Sequence, residues 1–347
     1  MQPFAYTRAA DPAMAVRAAR DAGRRGEAVP FPGHAGAPGQ FLGGGTTLLD
    51  LMKLDVMRPA LLVDINGLGA GPAGRISAGP DGLRLGAMAT MAETEAHEAV
   101  RRDYPVIAQA LAQAASPQLR NMARLGGNVL QRTRCAYFRN TSWPCNKRRP
   151  GSGCAAIGGQ NRQHAVLGTS EQCIASYPGD FANALLALDA TVEVLGPQGA
   201  RSLPMARLHR QPGERPDVET DLQPAEMITA FTVPAAPRTR RSLYLKIRDR
   251  DSYAFALASA AVVLDLADGR VRGSGIALGG VATIPWRAVH AEEVLLGRPL
   301  TERSAEEAAE AAFALAIPRE HNAFKLDLGR QCLVRALLQA AELEVRG

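Results

Sequence analysis

Apolar positions along the chain change period several times, and each change marks an expected element. A short apolar stretch at 4–6 predicts a strand, and small apolar residues at helical spacing after Pro12 predict a helix. The text FLGGGTTLLDLMK follows, an extended run that turns on three glycines and resumes as a helix near Leu48. Residues 61–64 and LRLGAMAT read as strands. Thr90, with Glu93 three residues on, is a helix start in capping-box form, and 105–115 reads as a helix of small residues. Further on, DFANALLALDATVEVLG is a helix running into a strand. Proline-rich text predicts a boundary near 233–240. Beyond it, AFALASAAVVLDLADGRVRGSGIALGGVA reads as two apolar strands joined at Asp268-Gly269. The end of the chain is helical, over 301–315 and again over 326–345.

Between 128 and 180 much of this regular patterning stops, and composition becomes the better guide. With 347 residues, 46% of them apolar, the chain can bury the core of two or three compact units. No run approaches the roughly eighteen apolar residues of a membrane span. The start MQPFAYTRAADPAMAVRAAR lacks a charged-then-apolar export pattern. Formal charge is +6, yet nine Arg and Lys and no carboxylate fall within 104–170, which leaves the remainder acidic. A general basic surface would suggest nucleic acid or an anionic membrane; one basic block in an acidic remainder points to a local anionic guest. A solvated charged face is the plainer alternative.

Gly43, Gly44 and Gly45 let backbone approach a ligand closely, and Thr46 and Thr47 add hydroxyls beside free N–H groups, an outline suited to a diphosphate. The turn is neither G-x-G-x-x-G nor a P-loop, since it has no lysine, and a turn without ligand is the alternative for any single case. A second turn, Gly126-Gly127-Asn128, and a third, SYPGD ending at Asp180, suggest one cavity assembled from several loops.

These motifs carry a family resemblance over nearly the whole chain. LGGGTTLLDLMK, QLRNMARLGGNVLQ, ASYPGDFANALLALDA and GIALGGVATIPWRA resemble the FAD-binding subunit of the xanthine oxidase/carbon monoxide dehydrogenase class of molybdenum hydroxylases. The resemblance implies an α+β, two-subdomain FAD-binding fold of the vanillyl-alcohol-oxidase/PCMH type over 1–235, divided near residue 60. A C-terminal domain of small antiparallel sheet and helices would follow over 236–347. By position, Leu42, Gly43, Gly44, Gly45, Thr46, Thr47, Leu48, Leu49 and Asp50 would wrap the FAD diphosphate. Arg124, Gly127 and Asn128 would contact the flavin nucleotide, Asp180 would hold it by hydrogen bonding, and Ile228 and Lys246 would lie near the isoalloxazine.

The segment 132–175 departs from the usual pattern by its length and by four cysteines, Cys135, Cys145, Cys154 and Cys173, without a C-x-x-C pair. Structural zinc usually shows paired knuckles. Disulfides would need an oxidising compartment and leave the flanking cations unexplained. Free buried thiols suit a polar loop poorly. A 4Fe-4S core with four thiolates carries a net charge of about −2, which the neighbouring Arg132, Arg134, Arg139, Lys147, Arg148 and Arg149 would stabilise. The text RTRCAYFRNTSWPCNKRRPGSGC resembles the subunit of bacterial periplasmic aldehyde oxidoreductases that carries FAD together with a 4Fe-4S cluster, and the four cysteines coincide with its ligands. His164 reads as a structural residue, and Cys332, in an apolar helix, as a small buried hydrophobe.

The expected function is an electron-transfer flavoprotein subunit of an oxidoreductase. It would work with a molybdenum-cofactor catalytic subunit and a 2Fe-2S subunit, in the periplasm if a signal-bearing partner carries it out and otherwise in the cytoplasm. No catalytic acid or nucleophile is expected. A stand-alone flavin oxidase or NADH reductase is one alternative; a metal-stapled nucleic-acid-binding module is another.

Overall fold

Three short strands, β1 (Ala5–Arg8), β2 (Gly39–Leu42) and β3 (Leu61–Asp64), form a parallel sheet in the order β1-β3-β2, with α1 (Pro12–Arg25) and α2 (Leu48–Lys53) in the connections. A computed structural model describes residues 1–25 and 38–344. Parallel pairing brings the C-terminal ends of the strands to one edge, so the glycine turn after β2 opens there. Val63 and Leu62 of the central strand are buried on its two sides, against α1 and α2 neighbours respectively.

The second unit contains β4 (Ile76–Gly79), β5 (Gly82–Gly86), α3 (Met91–Ala96), α4 (Glu98–Asp103), α5 (Pro105–Ala112), α6 (Pro117–Met122), α7 (Leu125–Val129), α8 (Ala136–Arg139), α9 (Phe181–Ala187), β6 (Thr191–Gly196), β7 (Gly199–Pro204) and β8 (Met227–Pro234). Its strands form an antiparallel sheet ordered β4-β5-β8-β6-β7. Val192 and Val194 of β6 turn inward to meet Ile107, Leu111, Phe181 and Leu185 of the helices. The capping box forms: the Thr90 hydroxyl accepts the Glu93 N–H at 3.0 Å, and the Glu93 carboxylate accepts the Thr90 N–H at 2.8 Å. The strand expected through LRLGAMAT stops at Gly86, because the chain turns there with the Ala89 N–H on the Gly86 carbonyl. The helix from Pro105 ends at Ala112, before Ala115 adopts a positive φ of 50°.

The C-terminal unit is an antiparallel sheet of β9 (Ser242–Ile247), β10 (Ala258–Ala267), β11 (Arg270–Gly279) and β12 (Trp286–Arg287), with α10 (Val289–Leu295), α11 (Glu302–Phe313) and α12 (Phe324–Ala341). Asp268 and Gly269, at φ 52° and 72°, make the expected two-residue hairpin turn between the paired Ala267 and Arg270. Ala260, Val262 and Leu264 face the C-terminal helices, whereas Ala261 and Val263 face the helical layer of the second unit. A side chain at Gly275 would place its Cβ 1.9 Å from the Ala187 carbonyl, so glycine there allows α9 to lie on the sheet. The last helix ends at Ala341, short of the expected 345; Val345 lies outside the described residues.

Residues 132–175 hold only α8 and isolated bridges, among them Cys145 with Cys154 and Ser170 with Cys173. Phe138 anchors this block, fully buried with Leu51, Met52 and Leu62 of the first unit.

Candidate cofactor cleft and cysteine block

The glycine turn forms one side of a cleft of about 210 Å³ where the three units and the cysteine block meet. Gly43, Gly44, Gly45, Thr46, Thr47 and Leu48 all line it. None of their backbone N–H groups donates to an acceptor among the described residues. That is a row of free donors of the kind a diphosphate accepts from. The turn owes its shape to two glycines: Gly45 has φ 73°, and a Cβ on Gly44 would sit 1.8 Å from the Met122 carbonyl oxygen.

The other side is built from α7 and β8. Arg124 and Gly127 line the cleft, and the space beyond Gly127 is open. Arg124 donates through Nη1 to the Met88 carbonyl at 3.0 Å, while its buried Nε has no partner. Asn128 gives its amide N–H to Met91 Sδ at 3.3 Å and keeps a buried Oδ1 without a donor. The register of β6 against β8 slips between Glu193 and Val194, and Met227 and Ile228 beyond the slip line the cleft. Buried polar atoms left unpaired around a lined cavity fit a polar guest.

Not every expected residue reaches this space. Leu42, Leu49, Asp50, Asn128, Asp180 and Lys246 are not among the lining residues. Asp180 and Lys246 meet each other at 2.7 Å, both buried, and Asp180 also accepts from the Tyr244 hydroxyl at 2.6 Å. Lys246 spends a further hydrogen on the Gln113 carbonyl at 3.0 Å. Asp50 turns instead to Arg139 and Arg134 of the cysteine block, and hydrogen bonding from Arg139 leads the effects that hold its carboxyl below the usual range.

Several lining residues were not expected. Arg132, Lys147, His209 and Glu219 stand in the wall. Glu219 accepts from Arg132 Nε at 2.8 Å and lies 3.6 Å from Lys147; burial raises its carboxyl, and the two cations outweigh that and bring it below its ordinary value. His209 donates from Nε2 to the Val129 carbonyl at 3.0 Å, which leaves Nδ1 as a buried acceptor without partner. Burial lowers its pKa to about 4, so the ring is neutral.

All five cysteines are free. Four of them gather in the block. Cys154 and Cys173 interact with each other, which lowers Cys154 and raises Cys173. Cys135 is pushed up to about 11, first by burial and also by the charges of Cys145 and Cys154. Backbone N–H groups point at these sulfurs: those of Phe138 and Tyr137 at Cys135, Ala156, Ile157 and Ile174 at Cys154, and Ala175 at Cys173, the last at 3.4 Å. Among the described residues, no three His, Cys, Asp or Glu side chains group so as to hold a metal ion. Four thiols with backbone N–H groups near their sulfurs are the donor types that an iron–sulfur cluster would take. His164 was expected to be a satisfied structural residue; its Nε2 is 3.1 Å from Cys135 Sγ, and its buried Nδ1 has no partner. Cys332 is buried in the C-terminal core. Among the described residues no helix is long and apolar enough to cross a membrane.

The fold and cleft define a cofactor-binding protein of mixed helix and sheet. Residues 3–236 match the FAD binding domain in molybdopterin dehydrogenase, and residues 243–340 match the CO dehydrogenase flavoprotein C-terminal domain. The chain is 46% identical over 341 residues to the aldehyde oxidoreductase FAD-binding subunit PaoB of Escherichia coli (strain K12), covering 98% of this chain and 99% of that protein. It is 28% identical to the carbon monoxide dehydrogenase medium chain of Afipia carboxidovorans over 84% of each. The structure of reconstituted CO dehydrogenase from Oligotropha carboxidovorans shares the fold, with a TM-score of 0.74, 23% identity and 98% of each chain covered. The chain belongs to the FAD-binding subunits of the xanthine oxidase/carbon monoxide dehydrogenase family, the flavoprotein members of oxidoreductase complexes.

Proposed function

We propose that the chain is the electron-transfer subunit of a molybdenum-dependent aldehyde oxidoreductase, assembled as a heterotrimer with a molybdenum-cofactor subunit and a 2Fe-2S subunit. The observation that carries this reading is the glycine turn with its row of free N–H groups, in a chain 46% identical to an aldehyde oxidoreductase subunit along nearly its whole length. FAD, when bound, supplies the two-electron redox chemistry. The protein binds and orients it. Backbone N–H groups of 43–48 hold the diphosphate, Arg124, Gly127 and Asn128 meet the nucleotide, and Ile228 offers an apolar wall. Asp180 and Lys246 act as positioning residues, fixing α9 to β9 at the back of the site. Residues 1–235 form the FAD-binding domain and 236–347 the domain that covers it.

Cys135, Cys145, Cys154 and Cys173 hold a 4Fe-4S cluster in this reading, supported by their mutual proximity and their N–H donors. The basic block favours this over nucleic acid. Arg132, Arg134, Arg139 and Lys147 are already engaged by Asp50 and Glu219, and Arg148 by the carbonyls of Tyr137 and Phe138. With the export of a signal-bearing partner, the complex works in the periplasm; without one, in the cytoplasm. An absorption spectrum with flavin, iron and acid-labile sulfide quantitation on the purified complex tests both cofactors. Equimolar FAD and 4Fe-4S cluster, counted over and above the iron and sulfide of the 2Fe-2S subunit, is the expected result. A colourless protein that releases neither on denaturation overturns the reading.

A further inference from the structure

Two carboxylates bind the cysteine block to two parts of the flavin cleft. Asp50, just past the cleft-lining Leu48, accepts from Arg134 at 3.0 Å and from Arg139 at 2.7 and 3.1 Å. Glu219, in the cleft wall, accepts from Arg132 at 2.8 Å and stands 3.6 Å from Lys147. All four cations come from the block and flank Cys135 or Cys145. Arg132 and Lys147 also line the cleft themselves, and Lys147 is fixed further by donating to the Pro216 carbonyl at 3.1 Å. The wall facing the flavin is therefore partly made of the segment that would grip the cluster.

We propose that the cysteine block and the flavin cleft form one linked binding unit with Asp50 and Glu219 as its joints, so that a cluster in the block strengthens FAD binding and FAD retains the cluster. The inference rests on the FAD and cluster reading above. An irregular segment of this length orders only where something holds it. A cluster fixes the backbone around Cys135 and Cys145, and with it the four flanking cations. Loss of the cluster releases them, and the cleft loses Arg132 and Lys147 from its wall. Coupling between two binding events is reciprocal, and typical values lie between about 5-fold and 150-fold.

The test measures FAD affinity by flavin fluorescence in the full complex under anaerobic conditions, before and after a chelator removes the block's iron, with the signal of the 2Fe-2S subunit checked to be unchanged. The expected result is a rise in Kd of about tenfold or more on iron removal, and a matching rise in iron retention when FAD is added. An unchanged Kd overturns the linkage. The double variant Asp50→Asn with Glu219→Gln should bring the linkage factor close to one; an undiminished factor overturns the assignment of these joints. If that variant does not accumulate as folded complex, Glu219→Gln alone is read in the same way, with a partial fall expected and no fall counting against it. Wild-type complex that carries flavin but no iron or sulfide beyond that of its 2Fe-2S subunit overturns the cluster reading itself, an outcome distinct from iron-loaded protein with unlinked affinities.

Discussion

In the C-terminal unit Ala260, Val262, Leu264, Ile276 and Leu278 are all but inaccessible to solvent and pack on Leu333, Ala336 and Leu337 of α12. In the cysteine block, Phe138 is the one aromatic side chain fully buried, and the segment from Ala136 to Gly159 rests largely on polar contacts. Arg148 donates to the carbonyls of Tyr137 and Phe138, Asn146 to the Gln172 carbonyl at 3.1 Å, and the flanking cations to Asp50 and Glu219. Apolar burial contributes about 25 cal/mol per Å² wherever it occurs, whereas a partly exposed ion pair is worth about 1 kcal/mol or less. One region has a core of its own; the other depends on what it is tied to.

The largest effect is expected in the block. If the block holds the proposed 4Fe-4S cluster, Cys145→Ser should remove it and, with it, most of the block's order, seen as loss of iron and a sharp fall in the yield of assembled complex. Normal yield with selective loss of electron transfer would instead make the proposed cluster a relay and not a structural support. Leu333→Ala is the contrasting change: it should cost about 2–5 kcal/mol by leaving a cavity in the C-terminal core. Thermal melts would register that cost, while flavin and iron per folded chain stay constant. A fall in iron content in this variant would break the comparison, because the block would then lean on that core. Smaller still is Asp50→Asn. Its carboxyl titrates below the ordinary 3.8, so its contribution is present above that pH and is lost as pH falls through the folded value. The pair is partly exposed, so a loss of about 1 kcal/mol near neutrality is expected, shrinking toward zero in acid melts.

What could be read from residues alone was what neighbouring residues decide. The glycine turn, the Thr90 capping box and the Asp268-Gly269 hairpin are each set by local backbone chemistry, and each forms. Strand β8 was not legible, although it is the centre of its sheet, because its partners β5 and β6 come from distant text and only their pairing distinguishes MITAFTVP from other apolar runs. Glu219 lay in text ahead of the expected boundary at 233–240 and carried no signal of its own, and its role appears only when Arg132, 87 residues earlier, is brought against it. The Asp180 and Lys246 pair had the same character: two residues expected at the cofactor are also each other's partners. The gathering of four cysteines had a signal in composition and charge, but their spacing could not show which thiol lies against which.

Two buried lysines extend the comparison to the dependence of stability on pH. Lys246 meets the Asp180 carboxylate, so its charge is matched. Lys325, fully buried in the C-terminal unit, donates to the Gly280 carbonyl at 2.7 Å and has no carboxylate in hydrogen-bonding range among the described residues. Burial, and then the charge of Arg162, lower it from 10.5 to about 7, with Asp249 acting in the opposite sense. Between those values the unfolded chain holds a proton that the folded chain does not, so this group makes stability rise with pH across that window and leaves it flat below. Lys325→Met removes the rise. It also strips the Gly280 carbonyl of its donor, at a cost of about 1–3 kcal/mol. In melts from about pH 6 to about pH 10, the variant should therefore stand closest to wild type at the acid end and fall progressively behind as pH increases. Parallel profiles for the two proteins would mean that Lys325 keeps its proton throughout, matched by a negative charge on its far side, and that both buried lysines are paired.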